Sequence, residues 1–285
     1  MLASGIMDED AGSMKHMIDC GAGAIVTKSI GIEPREGYPN PTVIELEHGI
    51  LNAMGLPNPG IKNFKQEMQE LSGSKVPIIG SIFGKNSSEF TFLAKEMESF
   101  GADAVELNLS CPHAKSYGLE IGHDPKIVQE ITTKVVAQVT IPVFVKLSPN
   151  VMDIVRIAKA AEAGGAHAVV AINTIKAMKI DIITGKPILS NAIGGYSGKA
   201  IKPIGIRCVY EIAQEVQIPI IGVGGITSGE DIIEYLMAGA AAVQIGSGIY
   251  YRDVTIFKQI CDEMKAWMKV HQYQNISELI GAAIQ

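Results

Sequence analysis

The sequence predicts a single (β/α)8 barrel over residues 1–285, and three observations predict it. Short β-rich runs alternate with helix-like segments along the whole chain. The runs are almost continuously apolar, and two of the connections are far longer than a turn. Alternation of strand and helix calls for a parallel sheet, and unbroken apolar runs suit strands covered on both faces. An open doubly wound sheet is the competing arrangement, but it needs a topological break that the sequence does not show.

The runs cover residues 2–5, 24–28, 76–83, 104–110, 142–148, 168–174, 219–225 and 241–247, the first of them clipped. The helical segments cover 8–20, 63–72, 86–101, 125–139, 150–164, 203–216, 228–238 and 254–268. Several open on a capping residue or an early proline and close at glycine, as from Ser228 to Gly239. Connections 29–61 and 175–202 leave the carboxyl ends of the second and sixth runs, the face on which barrel active sites are built. Loops of that length in a compact domain are usually functional or disordered. The second carries Thr184-Gly185 between Lys179 and Leu189, which predicts a small hairpin over the barrel mouth.

Composition narrows the chemistry. The chain is 47% hydrophobic and 19% charged, enough to bury one large core. A net charge of -6 argues against nucleic acid or an anionic membrane as the main partner. Its four cysteines, Cys20, Cys111, Cys208 and Cys261, lie far apart with no CxxC pair. A disulfide framework, structural zinc or an iron–sulfur cluster held by this chain alone is therefore not expected. Neither a membrane-spanning run nor a signal peptide is visible, which predicts a reduced, cytoplasmic protein.

The seventh run ends in Gly222-Val223-Gly224-Gly225 ahead of Ser228, and the eighth ends in Gly246-Ser247-Gly248. Glycines let a phosphate approach backbone N–H groups closely, and barrels often hold a phosphate at these two loops. Either cluster alone reads equally well as a tight turn; together they point to a phosphate-bearing ligand. No GxGxxG follows the first run, so a dinucleotide bound in Rossmann fashion is not indicated. Lys28, Asn108, Lys146 and Asn173-Thr174 interrupt other runs at their carboxyl ends. Two lysines facing one mouth suit a ligand that becomes negatively charged, and asparagines suit the amide edge of a pyrimidine.

The tetrapeptide Ser110-Cys111-Pro112-His113 closes the fourth run. A lone cysteine is more often a buried structural thiol than a reactive one. Cys111 stands out because the other polar groups occupy the same relative place in their repeats.

These residues resemble the class 1 dihydroorotate dehydrogenases, closest to the class 1B catalytic chain. The resemblance runs through Ala3-Ser4-Gly5, Val26-Thr27-Lys28-Ser29, Glu33-Pro34-Arg35-Glu36-Gly37 and Asn52-Ala53-Met54-Gly55-Leu56. It continues through Asn108-Leu109-Ser110-Cys111-Pro112, Val145-Lys146-Leu147, Ile172-Asn173-Thr174, Gly194-Gly195-Tyr196-Ser197-Gly198 and both glycine clusters. It implies one FMN per chain, its phosphate on Gly224, Gly225, Gly246 and Ser247 with Gly198 nearby. Ser4, Lys28, Ser29, Ser81, Asn108, Lys146 and Ile172 would line the flavin, Lys146 at its N1–O2 edge.

Dihydroorotate would be held by Lys28, Asn52, Asn108, Asn173 and Thr174 beside Ala53. Its carboxylate would lie on the backbone amides of Met54, Gly55 and Leu56. Cys111 would take the C5 proton as the C6 hydride leaves for flavin N5, a step of UMP biosynthesis. The resemblance further implies a homodimer and a heterotetramer with a partner subunit carrying FAD and a 2Fe–2S cluster, through which electrons reach NAD. It also implies a strand pair ahead of Met1. His113 stands where an asparagine is common and resembles the dihydropyrimidine dehydrogenases, so uracil-type reduction is the alternative of like chemistry. A non-redox phosphate-binding barrel is the alternative from a different class.

Overall fold

The computed structural model describes residues 1–109 and 121–285. From the N-terminus it runs α1 (Ala11–Asp19), β1 (Ile25–Val26), β2 (Val43–Leu46), β3 (Gly49–Asn52), α2 (Ile61–Glu70) and β4 (Ile78–Ile82). Next come α3 (Ser87–Ser99), β5 (Ala104–Asn108), α4 (Pro125–Val136), β6 (Val143–Leu147), α5 (Ile154–Ala163) and β7 (Ala168–Ala171). Then follow β8 (Ile175–Met178), β9 (Ile180–Asp181), β10 (Lys186–Pro187), β11 (Ile193–Ser197) and α6 (Lys202–Ala213). The chain finishes with β12 (Ile220–Val223), α7 (Gly229–Met237), β13 (Ala242–Gln244), α8 (Gly248–Arg252) and α9 (Ile256–Val270).

Seven strands form one parallel sheet in the order β1-β4-β5-β6-β7-β12-β13. Its two edges share a neighbour. Leu2 bridges Ile25 on one side and Ile245 on the other, both in parallel, so the sheet closes on itself as the predicted barrel. The clipped first run is thus a real stave, though it pairs through a single residue. Side chains alternate across each strand. Ala3, Ala24, Val26, Ile79, Ala104, Ala168, Val170, Ile221 and Val223 fill the barrel interior, with Phe144 packed against them. The opposite faces join the helices in a larger core around Met14, Met17, Phe64, Phe90 and Tyr235.

Several helices start where a short polar side chain takes an otherwise unpaired amide. Asp10 accepts from Ser13, Asn86 from Glu89, Asp124 from Lys126 and Asp153 from Arg156. Ser228 and Asp231 form a full capping box on α7. Each such cap stabilises its helix by about 1 kcal/mol. Capping by Asp10 explains why α1 begins at Ala11, later than the predicted 8–20.

The two long connections fold together, which the sequence did not predict. Both are strand-bearing: β2 and β3 from the first combine with β11 and β8 from the second in one antiparallel sheet, ordered β2-β3-β11-β8. The expected small hairpin is present as β9 and β10, pairing Asp181 with Lys186. No helix among the described residues is long and apolar enough to cross a membrane.

Candidate active site

A cavity of about 640 Å³ lies between the carboxyl ends of the barrel strands and the four-stranded cover. Of the predicted residues it gathers Ser4, Lys28, Ser29, Asn108, Lys146, Ile172, Asn173, Thr174, Gly224, Gly225, Gly246 and Ser247 from the barrel. Asn52, Ala53, Met54, Gly55 and Leu56 join them from the cover side. Ser81 stands one layer behind this wall. It is fully buried and its hydroxyl meets that of Ser29 at 2.8 Å. Gly198 also stands behind, against Gly225. Cys111 and His113 lie outside the described residues.

One end of the cavity is built from backbone. A Cβ on Gly225 would lie 2.7–2.9 Å from Lys202 Cβ, Lys202 N and Gly198 O, and its φ is +70°. Only glycine fits there, so the turn after β12 packs directly against Gly198 and Lys202. Among the described residues the amides of Gly225, Gly246 and Ser247 find no backbone carbonyl. Lys202 does not offer its charge to this end, because Asp231 and Glu234 hold its ammonium at 2.7 and 2.8 Å. Open amides and a glycine-lined hollow fit a phosphate held by N–H groups.

Met54, Gly55 and Leu56 line the cavity from the loop after β3. Gly55 and Leu56 both have positive φ, +77° and +57°. The amides of Met54, Gly55 and Leu56 find no backbone carbonyl among the described residues. Asn58, buried and missed as a functional residue, pins this loop. Its Oδ1 accepts from the Gly31 and Gly60 amides and its Nδ2 donates to Leu56 O at 2.9 Å. Such a fixed group of donors can take one carboxylate.

Between the two ends runs a hydrogen-bonded floor. Ser4 and Ser29 hydroxyls lie 3.3 Å apart, Asn108 Nδ2 donates to Ser29 Oγ at 3.1 Å, and Asn173 Nδ2 donates to Asn108 Oδ1 at 3.4 Å. Asn150, which sequence reasoning did not single out, ties Thr174 O to Ser148 Oγ through its Nδ2. Lys28 is buried, with Nζ 3.1 Å from Glu9 Oε1. Lys146 is buried too, between Glu106 and Gln244. Neither of those partners was expected. The visible signal was a lone carboxylate or amide inside a run covered on both faces.

Asp8, also missed, supports the Ser4–Ile6 wall. It is fully buried, accepts from the Gly5 amide at 2.6 Å, and its Oδ1 has no hydrogen-bond partner among the described residues. Burial pushes its carboxyl up to about 6, against partial opposition from the Gly5 amide and Lys28. Because the folded value exceeds the unfolded one, stability is lost as pH rises through 6. Asp8→Asn keeps an acceptor for Gly5 and carries no charge. Relative to wild type it should gain about 3 kcal/mol between pH 4 and 8. Chemical unfolding of both proteins across that range checks this; a difference independent of pH contradicts it.

Comparison with known proteins accords with this geometry. The family model for dihydroorotate dehydrogenase matches residues 1–268. A protein of Thermoplasma volcanium, "Dihydroorotate dehydrogenase B (NAD(+)), catalytic subunit", is 52% identical over 285 residues, covering 100% of this chain and 94% of its own. The protein of the same description from Methanocaldococcus jannaschii is 52% identical over 286 residues, covering 99% and 93%. In fold, the chain is similar to the crystal structure of Eimeria tenella DHODH in complex with ferulenol. The TM-score is 0.84 at 22% identity, covering 99% of this chain and 84% of that one. With a family match over most of its length and relatives half identical along all of it, this chain belongs to the dihydroorotate dehydrogenase family.

Proposed function

We propose that this chain oxidises dihydroorotate to orotate in pyrimidine biosynthesis, with FMN as its resident cofactor. The observation that carries the reading is one cavity holding two separate sets of open backbone amides, with lysines and asparagines between them. One set suits a cofactor phosphate and the other a substrate carboxylate. The cavity end lined by Gly224, Gly225, Gly246 and Ser247, with the open amides of Gly225, Gly246 and Ser247, fits the phosphate of FMN. Ser4, Lys28, Ser29, Asn108, Lys146 and Ile172 would line its ring, with Ser81 supporting Ser29. When bound, FMN supplies the acceptor for the hydride that leaves C6 of the substrate.

This chain's residues bind and orient the substrate. Met54, Gly55 and Leu56 take the carboxylate, and Lys28 adds positive charge to the cavity. Asn52, Asn108, Asn173 and Thr174 offer donors and acceptors to the pyrimidine edge. Lys146 meets the negative charge that develops on the cofactor side. Cys111 takes the C5 proton, a task that requires the thiolate, so the rate should rise with pH as the thiol ionises. Electrons reach NAD through a partner subunit with FAD and a 2Fe–2S cluster, in a heterotetramer built on a homodimer of this chain, in the cytoplasm.

Cys111→Ala tests the chemistry. The flavin-loaded variant should keep its yellow chromophore, because the glycine loops hold the phosphate. Orotate formation with an artificial electron acceptor should fall by roughly 10²-fold or more. Turnover within a few fold of wild type would remove Cys111 from the mechanism.

A further inference from the structure

Beneath the cavity the barrel holds a polar layer that the proposed mechanism uses only in part. Alternation along β5, β6 and β13 turns Glu106, Lys146 and Gln244 inward, two residues beyond Ala104, Phe144 and Ala242. Glu106 and Gln244 are fully buried. The three side chains close a ring. Gln244 Nε2 donates to Glu106 Oε2 at 2.7 Å, and Lys146 Nζ donates to Gln244 Oε1 at 3.3 Å. Lys146 Nζ lies 3.4 Å from Glu106 Oε1, an oxygen that takes no hydrogen bond of its own. Lys146 and Gln244 reach the cavity wall, with Glu106 behind them. A buried carboxylate is costly, and an interior otherwise packed by Ala, Val, Ile and Phe144 has no packing need for one.

We propose that Glu106, together with Gln244, is a positioning residue: it fixes and partly neutralises the Lys146 ammonium and thereby sets the redox poise of the bound flavin. The inference rests on the flavin reading above. A glutamine amide has one donor end and one acceptor end. With its donor end given to Glu106, Gln244 must present its oxygen to Lys146, so a hydrogen bond from one strand and an ion pair from another tether the ammonium. A remaining N–H of Lys146 is left for the cavity. Full reduction of flavin takes up two electrons and one proton, leaving one added negative charge, which Lys146 stabilises. Glu106 lies one charge behind and offsets part of that attraction, so the reduced cofactor is not held too firmly to pass its electrons on.

The test equilibrates FMN-loaded wild type and Glu106→Gln with a reduced reference dye, without oxygen. Loss of the carboxylate should shift the equilibrium toward reduced flavin by about tenfold or more, roughly 30 mV for this two-electron couple. In a Lys146→Gln background the same substitution should shift it less than about twofold, because the carboxylate then has no ammonium to hold or offset. Glu106→Asp draws the carboxylate away from Lys146 and should shift the equilibrium the same way by roughly threefold. If Glu106→Gln does not fold, this milder variant carries the test.

A structural role alone would lower flavin occupancy or melting temperature and leave the dye equilibrium where it is, which overturns the inference. An equal shift with and without Lys146 overturns it, as does failure of both Glu106 variants to fold. A wild-type chain that takes up no FMN overturns the flavin reading and the inference with it. A flavin-loaded wild type beside an unmoved Glu106→Gln overturns the inference alone.

Discussion

Dihydrouracil should reduce the flavin-loaded protein at least ~10³-fold less efficiently than dihydroorotate, in kcat/KM. The two compounds differ by the carboxylate, and the loop at Met54, Gly55 and Leu56 has three amides with no backbone carbonyl among the described residues. Donors closed off from water without an acceptor are costly, so a substrate that leaves them empty binds its transition state poorly. Asn58 makes the loop stiff by holding Leu56 O, Gly31 N and Gly60 N together, so the amides cannot turn elsewhere. His113→Asn should keep the preference, because under the proposed function the loop at Met54, Gly55 and Leu56, and not that position, would carry the discrimination. Stopped-flow reduction by each compound checks the ratio. Comparable efficiencies would favour the uracil-type alternative.

Gly246→Asp should lower FMN affinity by about 10²-fold or more while the barrel stays folded. A Cβ at Gly246 would meet only Ala3 Cβ, at 3.6 Å, an ordinary contact, and its backbone does not need a positive φ. The new carboxylate would then stand against the phosphate, where like charges a few ångströms apart repel strongly. Gly246→Ala, which adds volume without charge, should bind FMN nearly as wild type does. Gly225 is a poorer place for this experiment. A side chain there meets Lys202 and Gly198 at under 3 Å and strains a φ of +70°, so folding and binding would change together. Fluorescence titration of apoprotein with FMN, beside the melting curve, separates the two. A Gly246→Asp variant that retains full flavin would place the phosphate elsewhere.

Much of this was legible because barrel strands are short, apolar and regularly spaced. Lys28, Asn108, Lys146 and Asn173 each break such a run at its carboxyl end, and all four line one cavity. The cover sheet was not legible. Asn52 pairs with Gly195, 143 residues further on, and neither strand shows the alternation that marks a strand by itself. β11 carries Gly194 and Gly195, poor strand formers whose pairing is set by close approach to Asn52 and Thr174. Glu106 was hidden differently. It sits inside a mostly apolar run, where a charge covered on both faces demands partners, here Lys146 and Gln244 from two other strands.

The most direct test is an anaerobic titration of the flavin-loaded wild-type chain with dihydroorotate, followed by absorbance. The yellow flavin band should bleach in proportion to added substrate, with one orotate formed for each flavin reduced. A chain that takes up FMN yet stays yellow with dihydroorotate, or that bleaches only with dihydrouracil, would contradict the proposed function.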